Sequence, residues 1–351
     1  MKGIYVVGAP ASGKTAMSVG LALRCLDEGL KVAYFKPVGS LPGPSLRVDE
    51  DAVLMKHLLN MEEPVEDICP FTVSPYYLSR YEPSEEFVQT VIEKYRLVSQ
   101  GKDVVIIGAA PFPYSMAALK LDAASLAARL DASVLMVNRI ESDFSIDSVI
   151  LYNDYARKFG IEVIGNIFNH VPRPLLDKCE GVYKRYLEDH GYKVLGIIPR
   201  HVEVAAPTVA EYHEVLGGEI LTGEEHMDRI VEDVLVGAMT MDSALSYLRR
   251  ATNKAVITGG DRADLALAAL ETSTSVLILT GGLYPSVNVL ARAAEKKVPV
   301  ILVHEDTFTT IERLHAVSRR IHPDDERSIR LARELFEQYC DVEAIMAYIR
   351  P

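Results

Sequence analysis

Eight residues near the N-terminus carry the densest chemistry in the chain: Gly8-Ala9-Pro10-Ala11-Ser12-Gly13-Lys14-Thr15. The spacing is GxxxxGK[ST], and it follows an apolar run and opens a helical pattern, the context that gives this motif its meaning. Glycines let main-chain N–H groups wrap around phosphate oxygens, and the start of a helix adds partial positive charge. Gly8, Ala11, Ser12, Gly13, Lys14, Thr15 and Ala16 are therefore the candidate cradle for a nucleotide. Lys14 is placed to reach the β- and γ-phosphates, and the Thr15 hydroxyl to bind Mg²⁺. The plainer reading is a glycine-rich turn with an ordinary lysine, and the complete motif in its strand–helix setting argues against it.

Two further groups could act with this loop. Lys36-Pro37-Val38-Gly39-Ser40 follows the second strand-like run. Ligands of open α/β sheets sit at the carboxyl ends of strands, so Lys36 could face the γ-phosphate or an anionic second substrate. It could equally be a surface lysine before a turn. Asp49-Glu50-Asp51 opens the next helical pattern. A carboxylate there could complete magnesium coordination; the alternative is an Asp49 N-cap with acidic residues in the first turn.

The elements that must position these groups form a βα alternation. Gly3–Val7, Lys31–Phe35, Val104–Ile107, Val134–Val137, Val163–Phe168 and Val194–Ile197 read as buried strands. Helical patterns fit Lys14–Glu28, Leu121–Leu130, Ser145–Phe159 and Leu175–His190, with Gly29, Gly160 and Gly191 as terminators. The expected fold class is α/β: a mostly parallel sheet with helices on both faces. A second, smaller α/β block has strands at Ala255–Ile257, Val276–Leu279 and Val300–Val303. Its helices are expected at Ser243–Arg250, Arg262–Glu271, Ser286–Lys296 and Thr309–Arg320. Patterning lapses near Val202–Pro207, which divides the chain into 1–204 and 205–322, with a helical tail at 323–351.

With 351 residues and a formal charge of −12, the chain is long enough for two cores and too acidic to attract nucleic acid or an anionic membrane non-specifically. Cys25, Cys69, Cys179 and Cys340 are far apart and form no zinc or disulfide pattern, which fits reduced thiols in a cytoplasm. No apolar run reaches the roughly 18 residues of a membrane span. The histidines, among them His170, His304 and His315, show no metal-binding spacing. The aromatic stretch Tyr76–Tyr81 reads as a packed loop in acidic surroundings rather than a base-stacking platform. A homodimer or higher homo-oligomer is the expected assembly.

Together, the loop at Gly8–Thr15, the Lys36-Pro37-Val38 segment and the Asp51-Ala52 that opens the next helix resemble the dethiobiotin synthetase family. The resemblance implies ATP with Mg²⁺, Lys14 and Lys36 as catalytic lysines, and Thr15 and Asp51 on the metal. Asn169 then resembles the family's base-binding asparagine, and Pro199 its adenine-packing proline; for Asn169, a turn-forming role is the alternative. Further along, Gly237-Ala238-Met239, Thr258-Gly259-Gly260-Asp261-Arg262 and Thr280-Gly281-Gly282-Leu283 resemble the domain named DRTGG. The whole chain is similar to the region that precedes the acyltransferase domain in long bacterial phosphotransacetylases. No transacetylase activity follows, because that catalytic domain has no counterpart here.

Both Thr-Gly-Gly turns are expected to end buried strands, so Thr258, Gly259, Gly260, Asp261, Arg262, Thr280, Gly281 and Gly282 are candidates for a small-molecule effector. Asp261 could cap the following helix and Arg262 grip an anion; tight turns with a structural Asp–Arg pair are the alternative. One departure from the synthetases matters: Ile107 stands where they carry a glutamate after the third strand. A missing carboxylate weakens the positioning on which phosphoryl transfer depends. Two functions are thus expected to compete: a nucleotide-binding regulatory protein with little turnover, and an ATP-dependent ligase that activates a small carboxylate. A third, plainer possibility is a structural subunit that keeps the fold.

Overall fold

In the computed structural model the described residues are 1–40, 48–73, 77–79, 84–201, 206–237, 239–314, 317 and 320–350. Tyr76, Arg80, Tyr81, Val202–Ala205, Ala238 and His315 lie outside them. The chain divides into two compact units, one of residues 1–204 with 321–351, the other of 205–320.

The first unit is built on six strands: β1 (Lys2–Val7), β2 (Val32–Phe35), β5 (Val104–Gly108), β6 (Ala132–Arg139), β7 (Val163–Val171) and β8 (Val194–Pro199), in the order β2-β5-β1-β6-β7-β8. Every pairing in it is parallel. A strand covered on both faces reads as a continuous apolar run, and Ile4, Tyr5, Val6, Val7 and Val104 through Ile107 are all buried. A short parallel pair, β3 (Val38–Ser40) with β4 (Phe71–Val73), stands beside the main sheet. Such three-residue strands are too short for a periodic signal. Six helices belong to the βα repeats: α1 (Lys14–Asp27), α2 (Glu50–Leu58), α3 (Val65–Ile68), α4 (Ser84–Val98), α5 (Ala123–Leu130) and α6 (Asp143–Lys158). Because β1 lies inside the sheet with later strands on both sides, its carboxyl end is a topological switch point, where α/β sheets bind ligands.

The helical stretch expected at Leu175–His190 is not one α-helix. Leu176–Lys178 and Lys184–Asp189 flank a π-helical turn, Cys179–Tyr183, which contains Gly181. The wider turn accompanies burial of Cys179 and Tyr183 in one small core with Leu187.

The C-terminal helices Glu326–Tyr339 and Val342–Ile349 belong to the first unit's core. They bury Ala332, Leu335, Phe336, Ile345, Met346 and Ile349 with the residues of α1. A Cβ on Gly20 of α1 would lie 2.5 Å from Phe336 Cβ, so this glycine is required by the close approach. At the rim Arg333 pairs with Asp27 at 2.5 Å and Arg350 with Glu28 at 2.6 Å. The main chain of Asp341 donates to Leu195 O at 2.6 Å, which covers part of the β8 edge.

The second unit holds β9 (Glu219–Thr222), β10 (Asp233–Val236), β11 (Lys254–Gly259), β12 (Thr274–Thr280) and β13 (Val300–Leu302), ordered β10-β11-β12-β13-β9. All pairs are parallel except β13 with β9. Buried Glu211 joins the two ends of this unit. Its carboxylate accepts from the main chain of Thr208 at 2.6 Å and from that of Arg320 at 2.6 Å.

Phe336→Ala removes a fully buried ring facing α1. It is expected to destabilise the first unit by about 3–5 kcal/mol, read as a lower urea midpoint. A cost under about 1 kcal/mol would mean that the C-terminal helices are not part of that core.

Candidate functional site

The loop after β1 is shaped by two residues with positive φ, Ala11 (53°) and Gly13 (92°). Gly13 is required by conformation and close approach, and Gly8 by close approach alone. A Cβ on Gly8 would lie 2.1 Å from Val137 O, and one on Gly13 would lie 2.0 Å from Asn169 Nδ2. Asn169, at the end of β7, donates from Nδ2 to Ser12 O at 2.8 Å and so ties the loop to the sheet. Its amide oxygen accepts no side-chain hydrogen bond among the described residues. Ser12 Oγ is buried with no hydrogen-bond partner among the described residues, an orphaned polar atom inside the loop.

Lys14 opens α1, and its ammonium donates to Gly8 O (3.1 Å), Ala9 O (2.9 Å) and Pro111 O (3.4 Å). Burial, and then the charge of Lys36, lower its pKa to about 8, although Asp51 opposes the shift. Thr15 donates from its hydroxyl to Asp51 Oδ1 at 2.8 Å. The other oxygen of Asp51 meets Lys36 Nζ at 2.6 Å, and Asp49 Oδ2 meets the same ammonium at 2.9 Å. Four charged or polar side chains from β1–α1, the end of β2 and the start of α2 therefore form one connected chain. Lys36 is only 4% exposed. Burial alone would lower its pKa, but the two aspartates hold it well above the ordinary lysine value. Burial would likewise raise the Asp51 pKa, and the Lys36 ammonium with the Thr15 hydroxyl brings it below the usual carboxylate range.

The capping reading of the acidic trio is realised by Asp49, and Asp51 takes a different place. Asp49 is the N-cap of α2, accepting from the main chain of Ala52 at 3.1 Å, while Asp51 points to Thr15 and Lys36. Lys36 is not a surface lysine. Ile107 is fully buried in β5, registered against Tyr5 of β1 and Phe35 of β2. A carboxylate at that position would be a buried charge in an apolar layer. Pro199 ends β8 beside Val171. Among the described residues no group of three or more His, Cys, Asp or Glu side chains could hold a metal ion. A hydroxyl–carboxylate pair still suits Mg²⁺, which keeps several waters and takes phosphate oxygens.

In the second unit, the loops after β10, β11 and β12 meet at the carboxyl ends of the strands. Thr280 Oγ1 lies 2.8 Å from Thr307 Oγ1. Thr258 Oγ1 reaches Gly237 O at 3.5 Å. Gly281 and Gly282 have φ of 81° and 66°, but their N–H groups already donate to Glu305 O and Val303 O. Gly259 and Gly260 do not use positive φ. Gly260 is required because a Cβ there would lie 1.6 Å from Leu283 O in the neighbouring turn. Asp261 does not cap the next helix, since Arg262 occupies the cap position of Ala263–Leu270 and makes no side-chain cap. Arg262 donates to Met239 O at 3.2 Å and pairs with Asp264 at 3.2 Å.

A family model described as AAA domain matches residues 2–208, more than half of the chain and the whole of the loop-bearing sheet. The chain belongs to this AAA domain family. A second model, the DRTGG domain, matches residues 211–317. A phosphate acetyltransferase of Nitratidesulfovibrio vulgaris is 25% identical over 356 residues, covering 96% of this chain and 50% of that protein. The chain thus spans about half the length of the curated phosphate acetyltransferases it matches. The ATP-dependent dethiobiotin synthetase BioD of Bacillus velezensis is 27% identical over 188 residues, covering 51% of this chain and 78% of that one. A structure of the CBS and DRTGG domains of the regulatory region of Clostridium perfringens pyrophosphatase, complexed with the activator diadenosine tetraphosphate, is 26% identical. Its TM-score is 0.28, and the match covers 32% of this chain and 47% of that one. The resemblances drawn from the loop and the Thr-Gly-Gly turns are thereby confirmed: this is a P-loop AAA domain followed by a DRTGG domain.

In the AAA domain, sequence reasoning missed Asp49 as a partner of Lys36 and the Pro111 carbonyl as a partner of Lys14. The acidic trio was the available signal for the first; nothing in the sequence pointed to the second. Asp49→Asn keeps a cap acceptor but removes one of the two charges facing buried Lys36, whereas Asp49→Ala removes both functions. The expected order of stability is wild type, then Asn, then Ala, with the alanine variant further reduced by about 1 kcal/mol. Equal losses in thermal unfolding would show that Asp49 acts through one role alone.

Proposed function

We propose that the AAA domain binds ATP with Mg²⁺ on the 8–15 loop and that the DRTGG domain takes a small-molecule effector, with little turnover by the chain itself. The observation that carries this reading is the connected set Thr15, Asp51, Lys36 and Asp49 beside the Lys14 ammonium, which the loop carbonyls hold. Lys14 is held over the loop by carbonyl oxygens, which phosphate oxygens can replace as acceptors. Bound Mg²⁺ would neutralise charge on the β- and γ-phosphates, and Thr15 and Asp51 are the residues that would hold it. Lys36 supplies a second fixed positive charge, with Asp49 compensating it. Asn169 braces the loop from below while keeping an acceptor for a base, and Pro199 lies on the adjacent strand end.

The buried Ile107 supports low turnover. Phosphoryl transfer is largely positioning and charge stabilisation, and an apolar side chain contributes neither. The Nitratidesulfovibrio vulgaris phosphate acetyltransferase matches 96% of this chain with half of its own length, and acetyl transfer is no part of the proposed function. A ligase reading, in which a small carboxylate is activated as an acyl phosphate, is favoured by one observation: Lys36 lies beside the loop as an anion-binding ammonium. It ranks second because of Ile107.

Calorimetric titration with ATP–Mg²⁺ and with GTP–Mg²⁺, beside Lys14→Ala and with phosphate release followed in the same samples, tests these readings. Micromolar ATP affinity, at least tenfold weaker in the variant, with negligible phosphate release is the expected result. Robust turnover without a partner would put the ligase reading first, and absence of binding would overturn both.

The depressed pKa of Lys14 adds a pH dependence. A bound anion restores the ammonium, so binding takes up protons above about pH 8. ATP affinity is expected to be flat below that pH and to fall as pH rises through it. Titrations in buffers of different ionisation enthalpy would report the uptake, and a value of zero at pH 9 would exclude Lys14 as its source.

A further inference from the structure

Beyond the loop, the carboxyl ends of β6, β7 and β8 align a row of cationic or potentially cationic side chains. Arg139 is the Cα partner of Asn169, and the main chain of Ile140 donates to Asn169 O at 3.2 Å. His170 follows with φ of 54°, a left-handed conformation uncommon for a residue with a side chain. Its Nε2 lies 3.5 Å from where a Cβ on Gly13 would stand, so the ring adjoins the phosphate loop. The main chain of Arg200 donates to Val171 O at 2.9 Å, which brings Arg200 to the same rim. Arg139 pairs with Glu141 at 2.7 Å. Arg200 has no carboxylate partner among the described residues. Burial, and then Arg139, Arg200 and His201, lower the His170 pKa to about 4, and no carboxylate is among its causes. An electropositive rim whose one carboxylate partner is Glu141 on Arg139, among the described residues, next to a loop with the phosphate-binding spacing, is what a second anion would use.

We infer that Arg139, His170 and Arg200 form a second phosphoryl subsite beside the 8–15 loop. The inference rests on the proposed nucleotide site and deepens it. The physiological ligand is then a nucleotide with a further phosphoryl group on its ribose, or a nucleotide accompanied by a separate phosphate ion. Nothing in the loop itself requires this group. Arg139 would exchange Glu141 for it, and Arg200 would gain a charged partner that it lacks among the described residues.

The test is competition against a fluorescent ATP analogue on the full chain, using AMP, adenosine 2′,5′-bisphosphate, adenosine 3′,5′-bisphosphate, and AMP with added inorganic phosphate. The same series is run on Arg139→Ala/Arg200→Ala. An advantage on the order of tenfold for one bisphosphate over AMP is expected, and the ratio should approach one in the double variant. If instead added phosphate tightens AMP in the wild type and not in the variant, the subsite holds a separate ion. Equal affinities for all four in the wild type, or an advantage that survives the double substitution, overturns the subsite. Binding of the ATP analogue itself decides the nucleotide site independently. If the analogue binds and no ribose phosphoryl effect appears, only this inference fails.

Discussion

The hydrogen bond from Thr15 to Asp51, continued through Lys36 to Asp49, is the contact on which the site depends. It joins the first turn of α1 to the start of α2 and to the end of β2. A buried lysine is costly unless its charge is matched, and here two carboxylates do so. One of these carboxylates, Asp49, caps a helix, and the other, Asp51, meets the Thr15 hydroxyl of the motif. Removing one member therefore changes the charge balance of all the others, and the set behaves as a unit rather than as separate residues.

A second constraint is steric. Gly8 and Gly13 let the loop lie against Val137 O and the Asn169 amide at distances no Cβ would permit. The loop is thus fixed by β6 and β7, not by its own eight residues. On the far side of α1, Gly20 admits Phe336, so the helix that carries Lys14 and Thr15 is held by the last helices of the chain. The DRTGG unit is inserted between β8 and those helices, and buried Glu211 joins the start and end of the insertion. Of the glycines of the Thr-Gly-Gly turns, Gly260 has the same steric explanation as those of the loop, whereas Gly281 has open space around it and adopts positive φ. Gly260 serves a close approach between neighbouring turns, and the N–H groups of Gly281 and Gly282 are engaged with main-chain carbonyls. An effector in that domain would therefore meet side chains more than glycine N–H groups.

Much of this was legible in the residues. The βα alternation, the phosphate loop, Lys36 and Asp51 could all be read because parallel strands covered on both faces leave continuous apolar runs and because the loop motif has a fixed spacing. The short strands β3, β4 and β9 and the π-turn at Cys179–Tyr183 could not, since each is decided by a neighbour distant in sequence. The C-terminal helices were readable as helices but not as part of the first core. An apolar stripe states that it must be covered and not by what.

The sequence by itself determined the fold class, the position of the 8–15 loop and which side chains are candidates for phosphate and metal. Each of these follows from local spacing and hydrophobic period. Only the tertiary structure decided that Asp49 shares Lys36 with Asp51, that Asn169 braces Ser12, that Arg139, His170 and Arg200 align on one rim, and that the chain's last helices hold α1. The reason is physical. These relations depend on strand order and register, which bring together residues separated by tens to hundreds of positions, and no local pattern encodes them.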